Sequence, residues 1–165
     1  MKACVTSLAL IAVTACATTS TDVAPRVTSD DLALVDGAGW TGTLVYRDYS
    51  PPYGDVTLQA EVDVSVTSDG LLLDMRYPGE PSANSTDMLS VATDGSRLGG
   101  DPVVARKEEQ GEVRITTRAP CEDDDKPAIC EHIYTFSKAR FGLRKTVKFD
   151  GSSDTFQRNA YTFTR

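Results

Sequence analysis

The sequence is poor in the residues that carry most enzyme chemistry. Among 165 residues there is one histidine, His132, and one tryptophan, Trp40, and aromatics make up only 7%. A single histidine excludes multi-histidine metal sites and makes any histidine-assisted nucleophile depend on His132 alone. No Gly-x-Ser-x-Gly or Ser-x-x-Lys motif accompanies it. No glycine-rich phosphate loop leads from a strand into a helix, and "RLGGD", beginning at Arg97, does neither. Carboxylates are plentiful, yet no spacing singles out two for acid–base work. Basic residues are in the minority, 17 against 24 acidic ones, for a formal net charge of −7. That balance lacks the basic footprint of nucleic-acid binding. Long apolar runs are missing too: the stretch Val5 to Val13 is about nine residues, whereas a spanning helix needs about 20. The expectation from these absences is a protein that is not an enzyme, with no catalytic residues, no metal and no cofactor.

What is present begins at the N-terminus. Lys2, the apolar stretch and small residues ending at Cys16 follow the order of a secretory signal. The segment "VTAC" (Val13, Thr14, Ala15, Cys16) resembles the lipobox of bacterial lipoproteins. In that family the cysteine thiol receives a diacylglyceryl group and the chain is cut before it. The resemblance implies a signal peptide over residues 1–15 and a lipid anchor at Cys16, with membrane lipid as the partner. Each buried methylene of such an anchor contributes about 0.8 kcal/mol, so two or three chains hold firmly where one does not. Ala17, in place of the aspartate associated with inner-membrane retention, implies the outer membrane, facing the periplasm. Residues 16–28, small, polar and Pro-containing, read as a flexible tether. Residues 29–165 read as a single domain.

Two cysteines remain in that domain, Cys121 and Cys130, within "CEDDDKPAIC". An even pair in an exported chain predicts a disulfide. Metal binding is the alternative, but ligands are too few. The carboxylates Glu122 to Asp125 offer calcium a cluster without EF-hand spacing, and a charge run in a loop is ordinarily solvated. Asn84-Ser85-Thr86 fits a glycosylation acceptor, which carries no weight behind a bacterial export signal.

From Trp40 onward the pattern has period two. Val56, Leu58, Ala60, Val62, Val64 and Val66 alternate with polar residues, the signature of a strand with one wet face. Similar strands recur at Leu71 to Tyr77, Asp87 to Ala92, in a hairpin around Glu109 to Gly111, and at His132 to Lys138, Gly142 to Phe149 and Thr155 to Arg165. "RLGGD" is short and undecided. A short helix is expected over Leu32, Leu34 and Val35, capped by Ser29 or Asp30. The fold predicted is all-β: an antiparallel up-and-down barrel of about eight or nine strands, with a β-sandwich as the alternative. An outer-membrane barrel fits poorly with the charge-crowded hairpin "PVVARKEEQGEVRITTRA".

"GWTGTLVYRDY" (Gly39 to Tyr49) and "RNAYTFTR" (Arg158 to Arg165) resemble the first and last strands of lipocalin-type, calycin-like barrels. There a tryptophan near the start of the first strand packs beneath an arginine of the last. The resemblance implies Trp40 and Arg158 as a barrel-end pair. It departs from the family in having Gly39 directly before the tryptophan, with Ala38 at the motif position. The opening and closing strands also resemble small uncharacterised bacterial lipoproteins. For ligand-binding residues the sequence offers no assignment. Two functions remain open: an envelope protein holding a small apolar ligand in its barrel, or an interaction module with a filled barrel and a protein partner. His132, alternating with Tyr134 and Phe136, reads as a surface or barrel-mouth residue.

Overall fold

A computed structural model describes residues 24–165. The expected signal peptide, residues 1–15, the expected anchor Cys16 and Ala17 lie outside the described residues. The chain forms one turn of helix, α1 (Ser29–Ala33), and ten strands: β1 (Gly37–Asp48), β2 (Gly54–Thr67), β3 (Gly70–Arg76), β4 (Ser85–Ser90), β5 (Arg97–Leu98), β6 (Asp101–Glu109), β7 (Glu112–Asp123), β8 (Lys126–Phe136), β9 (Arg140–Phe149) and β10 (Phe156–Thr164). They make one antiparallel sheet in the order β4-β3-β2-β1-β10-β9-β8-β7-β6-β5. Every neighbour in space is therefore a neighbour in sequence, apart from the β1–β10 pair that brings the chain ends together. The two ends of the sheet meet at a single bridge, Val91 to Leu98. The result is a nearly closed up-and-down barrel. The tenth strand, beyond the eight or nine expected, is the two-residue β5 in "RLGGD", too short to carry a periodic pattern.

Alternation decides which side chains enter the barrel. Ala60, Val62 and Val64 of β2 are buried, while Gln59, Glu61 and Asp63, which alternate with them, are not. The closed end, called the base here, is packed with Trp40, Phe136, Phe141 and Phe163, none more than 1% exposed. Phe141 stands edge-on to Trp40 and stacks on Phe163, with ring centroids 6.1 and 5.7 Å apart. Each such side chain contributes about 1.5–3 kcal/mol of burial. Gly42 is what lets β1 press against β10 here, because a Cβ at that position would lie 1.8 Å from the Thr162 carbonyl oxygen.

The N-terminal segment seals the base. Val27 is buried and its N–H donates to the Gly95 carbonyl at 2.9 Å. Thr28, rather than Ser29 or Asp30, caps α1: its hydroxyl accepts from the Asp31 N–H, and the Asp31 carboxylate accepts in return from the Thr28 N–H. The same carboxylate takes two bonds from Arg106, Nε to Oδ2 at 3.0 Å and Nη2 to Oδ1 at 2.7 Å. The packed body thus starts ahead of residue 29: the end of the expected tether, from Val27, belongs to it.

The stretch between Cys121 and Cys130 is a hairpin, where the sequence reading expected a loop. Cys121 sits opposite Ala128 and Cys130 opposite Ala119, in a ladder that runs unbroken to Asp123 and Lys126. Asp124 and Asp125 make the turn, both with positive φ (50° and 56°). Two successive left-handed residues match the twist of the strands they join, and Asp tolerates that conformation. Apart from Asp123, the charges and prolines that signalled a loop are exposed on a continuous strand pair and its turn.

Candidate ligand site

Opposite the base, the barrel mouth holds a cleft of about 420 Å³ lined by Leu44, Leu58, Tyr46, Tyr77, Tyr161, Asn159, Asp123, Lys145 and Arg158, with Glu80 and Ala83 on its rim. Register explains why polar groups collect there. Thr117 pairs with His132, His132 with Lys145, Lys145 with Asn159, and Asn159 with Tyr46. These five side chains form one inward-facing row across five strands. The neighbouring row toward the base is mostly apolar: Ile115, Tyr134, Leu143, Tyr161 and Leu44. A polar row therefore lies over an apolar floor. A smaller cavity of about 190 Å³ opens beside the floor between Leu73, Met75, Leu89, Leu143 and Tyr161. Tyr161 lines both spaces, and its hydroxyl bonds that of Tyr77 across the barrel at 2.9 Å.

The charged end of the cleft is built by the hairpin tip. Asp123, only 8% exposed, reaches back to the mouth. Its Oδ1 lies 3.2 Å from Lys145 Nζ and 3.3 Å from Arg158 Nε, and its Oδ2 accepts from the Tyr49 hydroxyl. Arg158 lies over the Tyr49 ring, 4.5 Å from its centroid, and donates to the Arg47 carbonyl. Burial pushes the Asp123 carboxyl up. The hydrogen bonds from Tyr49 and Lys145 and the charges of Lys145 and Arg158 outweigh it and hold Asp123 below the usual carboxylate range. Burial and the adjacent carboxylate raise the Tyr49 phenol to about 12. The disulfide braces this arm: the Cys121 and Cys130 sulfurs are bonded, with Cα atoms 5.8 Å apart. A small second core of Ala128, Cys130 and Val147, with Cys121, Phe149 and Phe156 against it, packs the hairpin on β9 and β10.

The structure separates Trp40 from Arg158. Tyr46 pairs with Asn159 and Thr41 with Thr164, so Arg158 sits at the opposite end of the β1–β10 ladder from Trp40. Arg165 takes the place expected of Arg158, with its guanidinium 4.2 Å above the Trp40 ring and a 2.9 Å bond to the Asp36 carbonyl. Trp40 Nε1 donates to the Val35 carbonyl at 3.0 Å. Trp40 thus closes the base, and Arg158 belongs to the mouth.

His132 is half-buried inside the barrel, its Nδ1 3.2 Å from Asp101 Oδ2. Burial lowers its pKa, Asp101 works against that, and the charge of Lys145 adds to the lowering. Within the acidic run only Asp123 enters the barrel. Asp124 is paired with Lys126 at 2.6 Å, and no group of three or more potential metal ligands forms among the described residues.

Lys145, Tyr49, Tyr77 and Tyr161 went unassigned in the sequence reading. A signal for Lys145 exists: it interrupts the inward series Leu143, Val147, Phe149 as a lone cation on an apolar face. Asp123 stands two residues from Cys121 on the same strand face and would have been found had the hairpin been read as strand. No protein-family model matches the chain, and no curated protein matches it in sequence.

Proposed function

We propose that the protein binds a small, largely apolar molecule in the mouth of its barrel while anchored to the bacterial envelope through acylated Cys16. The observation that carries the binding half is the mouth cleft of about 420 Å³, with Leu44 and Leu58 in its wall and polar groups gathered at one end. Ligand sites combine these features: a concave apolar surface, a few convergent polar groups and a volume of roughly 300–1,000 Å³. The base supplies rigidity and no space, so the ligand occupies the upper barrel alone. The anchor rests on "VTAC" and its resemblance to a lipobox, with the outer membrane as the address that Ala17 suggests.

The two halves are tested separately. Metabolic labelling with palmitate marks the wild-type chain and spares Cys16→Ser; an unlabelled wild-type chain refutes the anchor. An environment-sensitive naphthylamine dye brightens on the full chain and is blocked by Leu58→Trp, which fills the cleft. Dye binding that survives Leu58→Trp refutes the cleft as the site.

A second reading, a protein-interaction module, has one specific observation behind it. Leu72 and Met88 pair across β3 and β4 on the outer face, 36% and 47% exposed, beside the sheet edge that only one bridge closes.

A further inference from the structure

The geometry points to a carboxylate-headed ligand: a short apolar chain whose anionic head sits on Lys145 and Arg158 at the charged end of the cleft. The inference rests on the mouth cleft being a ligand site and goes on to name the class of ligand.

Three observations carry it. The first is that the cleft is two-ended, with Leu44 and Leu58 in its wall and Lys145 and Arg158 at the polar end. A molecule filling it is apolar along its body and polar at its tip. The second is a count of donors. Arg158 spends Nε on Asp123 and Nη1 on the Arg47 carbonyl, which leaves Nη2 without a partner among the described residues. Lys145 has three N–H donors and uses one, on Asp123. Two cations face one carboxylate, and donors are left over. The third is Asp123 itself. It is a carboxylate delivered to this pair from a hairpin tip, so the chain already shows which chemical group the pair accepts.

The remaining charged residue in the cleft wall, Glu80, is exposed, as are Asp87 and Asp124, whose charges reach Tyr161 and Tyr49 from outside the cleft; solvent screens all three. Within the cleft, an arriving carboxylate gains short charge-assisted hydrogen bonds from Nη2 of Arg158 and from Lys145. A neutral head gains weaker ones, and a cationic head meets like charge. The cleft volume lies toward the low end for ligand pockets, which favours a short chain.

The test uses the full chain carrying Cys16→Ser, titrated calorimetrically at pH 7 with decanoate, decanol and decylammonium. Decanoate is expected to bind about tenfold more tightly than decanol, a difference of about 1.4 kcal/mol, with decylammonium weakest. Lys145→Met collapses the decanoate-to-decanol ratio to near one. Asp123→Asn, which removes the resident negative charge, raises that ratio. If decanol binds as well as decanoate, or decylammonium binds best, the carboxylate inference is overturned while the cleft stands as an apolar site. If none of the three binds, the ligand reading itself fails and the inference with it. The wild-type comparison decides the matter even where a variant fails to fold.

Discussion

Replacing Asp123 with Asn removes one negative charge from between two cations and keeps the side chain's size and its ability to accept from Tyr49. The structure sets the magnitude. Breaking a buried ion pair by removing one partner costs about 3–5 kcal/mol. Lys145 and Arg158 keep 21% and 24% of their side chains exposed, so water recovers part of that cost. The expected loss is about 2 kcal/mol, near 5 °C in melting temperature for a domain of this size. The pH dependence identifies the cause. Asp123 titrates below the usual carboxylate range in the folded state, so its stabilisation is fully present above the unfolded value of about 3.9. It disappears as pH falls through the folded value. Urea unfolding of wild type and variant at pH 7 and at steps down to pH 3 therefore shows a gap that holds to about pH 4 and narrows below it. A gap under about 0.5 kcal/mol at pH 7, or one that does not change with pH, refutes the reasoning. Joined to the tighter decanoate binding expected of the same variant, the result would mark Asp123 as a residue that trades ligand affinity for stability.

Other regions give independent tests. Reducing the Cys121–Cys130 bond, or changing both residues to Ser, removes closure of a short loop and is expected to cost roughly 2–3 kcal/mol in chemical denaturation; no change would show that the hairpin holds without it. Asp31→Ala breaks both the α1 cap and the twin bonds from Arg106, with an expected loss of about 3 kcal/mol, whereas exposed Asp30→Ala costs under about 0.5; equal losses would contradict the seal drawn at the base. Because His132 titrates below its ordinary value in the folded state, the unfolded chain binds the extra proton first. Stability should then decline as pH drops below about 6.5, and His132→Gln should flatten that part of the profile; an unchanged profile would remove His132 as the cause.

The architecture was legible because barrel walls alternate. β2 buries Ala60, Val62 and Val64 as period two requires. A meander needs only sequential pairing, which short turns such as "TSDG" announce. β5 escaped because two residues hold no period. The disulfide was legible from cysteine number, but its surroundings were not: Pro120, Pro127 and the acidic run read as loop, when outward-facing prolines and a two-Asp turn let the ladder continue. The site was the least legible part. Its residues come from β1, β2, β7, β9, β10 and the segment after β3, and the sequence states neither the register that lines up His132, Lys145, Asn159 and Tyr46 nor the placement of Asp123 at the mouth. The arginine above Trp40 shows the same limit. Two arginines, Arg158 and Arg165, lie on or beside β10, and only register shows that Arg165 reaches the base.

The most direct measurement is native mass spectrometry of the chain purified from its own host, wild type beside Leu58→Trp. A single small-molecule adduct on the wild type that is absent from the cleft-filled variant is the expected result. A wild-type chain that flies bare, or an adduct that persists when Leu58 is Trp, would contradict the claim that the barrel mouth is the binding site.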